Sequence, residues 1–213
     1  MRGLSMIRFL YGDRLHCAPL LRDTMFRDRA AQFSGRLKWA VQVDEQGFER
    51  DEYDDMNPLY VIWQQADGRH GGSLRFLPTT GPVMVNDHFR DLAGGVAITS
   101  PHIWECTRFC IAPDAPSRRI AARLLLGAAA LGKRFHLRHA VGVFDPAMER
   151  IYRALGWEPV LQSRGRAGIH IGLWSFADID TATLQRRAAL HGSGFLCWDD
   201  LGMAAPAKRR ICA

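Results

Sequence analysis

The sequence predicts an α+β or three-layer α/β domain around one mixed sheet. Three observations carry this. Strand-like apolar runs come first and are separated by turn signals, as in a meander. A long Ala- and Leu-rich helical segment follows, then a strand, a second helix and two closing strands. The chain has 213 residues, enough for one full core, and no internal repeat or linker divides it. Residues 1–191 are expected to form a single domain, and 192–213 a fraying C-terminal tail.

Leu15–Gln32 reads as an amphipathic helix, because Leu21, Met25 and Phe26 fall near helical spacing. Trp39–Val43 alternates and is expected as a strand before the turn signal Gln46-Gly47. Leu59–Gln64 and Gly72–Leu77 read as a hairpin closed at Asp67-Gly68. Pro78–Ser100 is loop-rich, with a short helix near Asn86–Leu92. Ile103–Ile111 is a strand, Ser117–Phe135 the strongest helix and Ala140–Phe144 a strand. Asp145-Pro146 opens a helix as N-cap and first-turn proline, and Gly156 stops it. Trp157–Leu161 and Ile169–Phe176 are expected as closing strands around the loop SRGRAG, before a last helix at Asp178–Leu190.

Composition excludes several classes. With 47% hydrophobic and 23% charged residues, the chain is not wholly disordered. No apolar run approaches the roughly 18–20 residues of a membrane span. The N-terminus has charges at Arg8, Asp13 and Arg14 in place of an apolar export segment, so a cytoplasmic location is expected. Five cysteines without CxxC spacing fit reduced thiols, and no metal site is expected. GxGxxG, GxxxxGK[ST] and GxSxG fingerprints are missing, which removes the matching dinucleotide, P-loop and serine-hydrolase readings. The formal charge is +6. Arg118–Arg153 holds that excess, with eight Lys/Arg against Asp145 and Glu149. Such a face suits an acidic or phosphate-bearing partner, and equally a solvated helix surface.

Charges inside apolar patterns mark the candidate chemistry. Ile103–Ile111 (IWECTRFCI) is apolar enough for a central strand, yet it carries Glu105 and Arg108. Strict alternation would put these two on opposite faces, so sharing one cavity requires a bulge or a strand end. Arg75 sits between Leu74 and Phe76 and needs a carboxylate or an anionic ligand. Glu49–Asp54 (ERDEYD) groups four acids around Arg50 and Tyr53, suited to a cationic ligand or a general base, or to a polar loop. Arg22 and Phe26 are four apart and share a helix face, where they could hold a substrate carboxylate and stack on a ligand; on these two alone a core ring beside a solvated cation is the favoured reading.

These segments together resemble the signature of the acyl-homoserine-lactone synthases, the bacterial autoinducer synthase family. The match runs from Leu21 to Trp157. The family's N-terminal Arg and Phe correspond to Arg22 and Phe26, and its Trp to Trp39 in RLKW. The interval from Phe26 to Trp39 is longer than in many members, which makes Phe33 a rival for the aromatic position. The acidic motif corresponds to Asp51 and Asp54, the strand Arg to Arg75, and E-x-[ST]-R-F to Glu105, Thr107, Arg108 and Phe109.

The resemblance implies a three-layer sandwich with a mixed, splayed sheet similar to the N-acetyltransferase fold. It also implies the family's reaction, in which an acyl group moves from acyl carrier protein with its 4'-phosphopantetheine arm, or from acyl-coenzyme A, to the amine of S-adenosylmethionine. Lactonisation then releases methylthioadenosine, and the product serves quorum sensing. S-adenosylmethionine is a substrate, and no resident cofactor is implied. Glu105 is then the expected base, with Asp51, Asp54, Arg75 and Arg108 in the catalytic cluster. Arg22, Phe26, Trp39, Asp51, Asp54 and Phe109 would bind S-adenosylmethionine. Thr107 and Gly142 would line the acyl pocket. Some relatives carry a Thr at Gly142 that reads an oxygen on the third acyl carbon, so an unsubstituted or hydroxylated chain is expected; small residues nearby suggest a long one. Arg118, Arg119, Arg123, Lys133, Arg134 and Arg138 would dock the acidic carrier. Two rivals are an acetyl-coenzyme A N-acetyltransferase and a nucleic-acid-binding protein, the latter suggested by a pI near 9.4. The first lacks its glycine-rich turn before the long helix, and the second lacks a reading motif.

Overall fold

The computed structural model describes residues 4–164, 168–190 and 195–198. Its eight strands are β1 (Met6–Tyr11), β2 (Leu59–Gln64), β3 (His70–Pro78), β4 (Ile103–Ile111), β5 (His139–Phe144), β6 (Leu161–Arg164), β7 (His170–Ser175) and β8 (Leu196–Trp198). They form one mixed sheet in the order β6-β7-β5-β4-β3-β2-β1-β8. The helices are α1 (Pro19–Ala30), α2 (Met84–His88), α3 (Ser117–Arg134), α4 (Ala147–Leu155) and α5 (Thr181–Ala188). A π-helical segment, Ala31–Arg36, extends α1.

Strand alternation distributes side chains between two faces. Val61, Trp63, Leu74, Phe76, Trp104, Ala140 and Trp174 join the large core under α3 and α5. Leu10, Tyr60 and Ile62 turn the other way and pack with Leu21, Met25 and Phe26 of α1. Leu77, Val141 and Ile171 form a third cluster with Val83 and Val85 beside α2. The sheet is therefore buried on both sides, the three-layer arrangement expected from the order of elements.

Two irregularities in β4 position the site. Between the pairs Ser73↔Cys110 and Arg75↔Thr107, β4 carries one extra residue. Arg108 takes it up with φ 53°, the bulge needed to turn Arg108 toward the face of Glu105 and Thr107. β4 and β5 pair in parallel only from Ile103↔His139 to Glu105↔Val141. Past Glu105 they diverge, so the sheet is splayed.

The structure departs from the sequence reading in four places. MIRFLY, unassigned from sequence, is β1, antiparallel to β2 and parallel to β8. Its side chains feed both cores, so no polar face marks it as a strand. Residues 39–43 have no strand neighbour, and Val43 makes only an isolated bridge to Glu49. Residues 157–160 are irregular: Trp157 turns inward, its indole N–H donating to the Ser175 carbonyl at 2.7 Å, and the strand begins at Leu161. Within the expected tail, Trp198 of β8 stacks on Phe9 at 3.6 Å. Residues 191–194 and 199–213 lie outside the described residues, as do 165–167 in the loop SRGRAG.

Candidate active site

The site forms on the α1 face, where three remote segments meet. Glu52–Asp54 is a short 3₁₀ turn closed by a reciprocal capping box. The Asp51 carboxylate accepts from Tyr53 N at 3.0 Å, and the Asp54 carboxylate accepts from Asp51 N at 2.9 Å. This turn puts Asp51 and Asp54 on one side, which the sequence left open. A backbone bond from Glu49 N to the Phe26 carbonyl (3.1 Å) ties the acidic segment to α1.

Arginines hold these acids. Arg29, at 0% exposure, reaches Glu49 Oε2 at 2.6 Å through Nε and grips Asp54 with both terminal nitrogens at 2.9 Å. Arg75, equally buried, binds Asp51 with both terminal nitrogens and donates from Nη1 to Asp54 at 2.9 Å. Its Nε donates to Thr107 Oγ1 at 3.0 Å. Arg108 reaches Glu49 at 3.0 Å and Asp51 at 2.6 Å. The Tyr60 hydroxyl donates to Asp54. Burial alone would raise the Asp54 pKa, but Arg29 and Arg75 outweigh it and hold the carboxyl well below the ordinary range.

Glu105 stands apart from this network. Three arginines match Glu49, Asp51 and Asp54 in charge, and among the described residues Glu105 makes no ion pair. It accepts backbone N–H bonds from Val85 (2.6 Å) and Met84 (3.1 Å) at the start of α2. Burial pushes its pKa up to about 7, with Asp51 adding to the rise and the two amides and Arg75 opposing it. That value suits proton transfer near neutral pH.

A cleft of about 720 Å³ opens beside the cluster, within the range of small-molecule sites. Glu49, Asp51, Tyr53, Met84, His88 and Arg108 line it, with residues 40–44 opposite. Phe33 and Trp39 stack at 5.2 Å with an interplanar angle of 8°, and the Arg108 guanidinium lies over Phe33 at 5.5 Å. Trp39 and Phe33 thus stack on each other just outside the residues that line the cleft. Trp39 remains 42% exposed, a ring face available to a ligand.

Other expected residues lie elsewhere. Arg22 is half-exposed and pairs with its neighbour Asp23 at 2.7 Å. Phe26 is buried in the α1 core, with the Arg29 guanidinium 5.1 Å above its ring. Phe109 packs against the α3 core, on the opposite side of the sheet from Arg108. Gly142 also faces that side, whereas Thr107 is bonded to Arg75. The basic set divides as well. Arg123 stacks on Trp63 at 4.1 Å and donates to the Ala188 carbonyl, and Arg134 covers Trp198 at 4.7 Å. Arg118 and Arg119 are exposed at one end of α3, and Lys133, Arg134 and Arg138 at the other, about 22 Å away at 1.5 Å per residue.

The family model described as autoinducer synthase matches residues 15–183. The chain belongs to the autoinducer synthase family. It is 41% identical over 189 residues to an acyl-homoserine-lactone synthase of Rhizobium etli, covering 84% of this chain and 89% of that protein. The likeness in fold extends to a coenzyme A-dependent acyl-homoserine lactone synthase, BjaI, solved with S-adenosylmethionine and isopentyl-coenzyme A. There the TM-score is 0.79 at 19% identity, over 92% of this chain and 94% of that one. It reaches an N-acetyltransferase candidate from Lactobacillus plantarum at TM-score 0.53 and 14% identity, over 79% of this chain and 96% of that one. The activity of this autoinducer synthase is acyl transfer in acyl-homoserine-lactone synthesis, the chemistry its cluster must support.

Arg29 is the network residue that the sequence reading passed over, and Glu49, part of the acidic run there, gains a role of its own only through its pairs with Arg29 and Arg108. A signal was present. Arg29–Phe33 repeats the spacing of Arg22–Phe26 seven residues later, and it shortens the interval to Trp39. Arg29 also extends the Leu21–Met25 stripe at helical spacing, a position where an apolar residue is the rule.

Proposed function

We propose that this synthase acylates the amine of S-adenosylmethionine in the 720 Å³ cleft, with Glu105 as the base. The acyl group arrives as a thioester on a phosphopantetheine arm, carried by acyl carrier protein or by coenzyme A. One observation carries the reading. Glu105 is the acid of the cluster left without an arginine, held by two amides and with a pKa about 7. Glu105 is fully buried and lies outside the cleft lining, so its remaining lone pairs would take the proton of the substrate amine through a water. The amine nitrogen attacks the thioester carbonyl. The C–S bond breaks, the thiolate leaves as the protonated thiol, and an amide forms. The methionyl carboxylate then attacks the methylene carbon next to sulfur. The ring closes as the C–S bond of the sulfonium breaks, and neutral methylthioadenosine departs. This second step needs no protein nucleophile, and positioning supplies its rate.

The other roles follow from geometry. Glu49, Asp51 and Arg108 are the network members that line the cleft; Asp51 and Arg108 keep part of their side chains exposed, so they would meet the ammonium and the carboxylate of the substrate. Phe33 and Trp39 would offer a stacking surface to the adenine. Arg29, Arg75 and Asp54 are saturated by one another and by Glu49 and Asp51, and would hold Asp51 in place. The reaction as written requires no resident cofactor. A family of acyl-coenzyme A and acyl carrier protein donors, supplied with S-adenosylmethionine, tests the reading. Methylthioadenosine and a lactone should appear together and in equal amounts. Failure of every donor to release methylthioadenosine above a thioester-free control would end it.

A further inference from the structure

The glycines of the splayed sheet carry more than the family reading uses. Gly142 of β5 and Gly172 of β7 are a cross-strand pair. Both lie on the α3 side, next to the gap where β4 and β5 separate. Small residues there suggest space for a chain, yet aromatic rings fill it. A Cβ on Gly172 would stand 2.7 Å from Trp174 and 2.9 Å from Phe144, and one on Gly142 2.8 Å from the Cys106 carbonyl and 3.6 Å from Trp174. Trp174 is packed in turn by Phe144 at 5.3 Å and Tyr152 at 5.0 Å, both edge-on. The three rings come from β7, β5 and α4, so the box is built by tertiary packing and does not collapse with one loop.

Resting on the reading that an acyl thioester is attacked beside Glu105, we propose that Trp174, backed by Phe144 and Tyr152, is the stop that limits the acyl chain. The substrate class is then short acyl thioesters. The thioester carbon must lie near Glu105, at the last paired residue before the strands part. An acyl chain leaving that point through the gap enters the α3 side at Cys106 and Gly142 and meets the Phe144–Trp174–Tyr152 box. The glycines do not lengthen the pocket; they let Trp174 lie flat against the sheet, so its ring occupies the volume that a longer chain would need. This reverses the long-chain expectation drawn from the small residues alone.

The test compares butanoyl, hexanoyl, octanoyl and dodecanoyl donors on the wild type and on Trp174→Leu, with Phe144→Leu as a second variant that enlarges the same box. The wild type should favour butanoyl or hexanoyl over dodecanoyl by about tenfold or more in kcat/KM. Trp174→Leu should shift that ratio toward the longer donor by a similar factor, the scale on which added methylenes are sorted by an apolar pocket. Thermal melts and the KM for S-adenosylmethionine report folding and site integrity for each variant. A wild type that turns over dodecanoyl as well as butanoyl overturns the proposal. So does a folded, active pair of variants whose donor profile matches the wild type. In both cases methylthioadenosine is still released and the enzymatic reading survives; no release from any donor would sink that reading instead.

Discussion

The two faces of the central sheet are built from opposite materials. Under α1 and α2, neighbouring strands supply Arg75, Thr107 and Arg108, which meet Arg29 and the Glu49–Asp54 segment in a buried ionic network, with Glu105 beside it. Under α3 and α4, the alternate residues of the same strands are Phe76, Trp104, Cys106 and Phe144, packed with Tyr152 and Trp174. One strand register feeds both. On the function proposed above, a single sheet would keep a charged substrate and an apolar chain apart while letting them meet at one point. That point is Glu105, where the two materials touch and the sheet divides. On the ionic face three arginines balance three carboxylates. Glu105 is left out of that balance, and burial pushes its pKa up to about 7.

The largest effect should follow from changing that one acid. Glu105→Gln keeps the shape of the side chain and removes the base, so turnover should fall by about 10²–10⁴-fold with S-adenosylmethionine binding retained. In the wild type, kcat/KM should rise with pH through about 7, as Glu105 loses its proton. The same group costs stability. Its folded pKa lies above the ordinary glutamate value of 4.5, so the native state holds the proton more tightly. Stability from this group is full at acid pH and declines between about 4.5 and 7. At pH 8 the cost is about 3 kcal/mol. Glu105→Gln should flatten that decline in melts recorded from pH 5 to pH 8. A wild-type activity profile flat across pH 7 would remove Glu105 as the base.

The next effect separates a buried arginine from an exposed one on the same helix. Arg29→Met leaves Glu49 and Asp54 short of a counter-charge at nearly zero exposure, and unfolding free energy should drop by about 3–5 kcal/mol. Arg22→Met breaks only a half-exposed pair with Asp23, and the change should stay under about 1 kcal/mol. Urea titration of the two variants measures the difference; equal losses would mean that the network is not what holds α1 to the acidic segment. These two residues also show what the sequence could and could not carry. Arg75 and Glu105 stood out because a charge in an apolar strand has few innocent explanations. Arg29 did not, because α1 also carries Arg22 and Arg27, and any of the three can face water on a helix. What distinguishes Arg29 is a pair of carboxylates 20 and 25 residues away, a contact that only the folded chain makes. β8 was illegible for the same reason. Its three residues have no pattern of their own and are placed by β1, Phe9 and Arg134. The bulge at Arg108, by contrast, was one of two ways in which the sequence let Glu105 and Arg108 share a face, the other being a strand end, and the fold uses the bulge.

The smallest effect concerns the ends of α3. The helix begins where β4 ends, at the open side of the gap between β4 and β5, and it ends beside the paired side. A phosphopantetheine arm threading into the gap would bring its carrier to the N-terminal end, near Arg118 and Arg119. Lys133 and Arg138 sit about 22 Å away along the helix and are poorly placed for the same contact. Arg134 is committed to Trp198. Arg119→Glu should therefore raise the KM for an acyl carrier protein donor by about tenfold, the scale of one reversed charge at an electrostatically steered interface, with less change in the KM for S-adenosylmethionine. Lys133→Glu should move neither by more than about twofold. Raising the salt concentration should weaken the wild-type dependence on carrier and leave the Arg119→Glu enzyme nearly unaffected, because exposed charges are screened beyond about 10 Å at 0.1 M salt. If Lys133→Glu matched Arg119→Glu in its effect on the carrier KM, the donor would have to approach across the whole length of α3, and the open end of the sheet would lose its claim as the entrance.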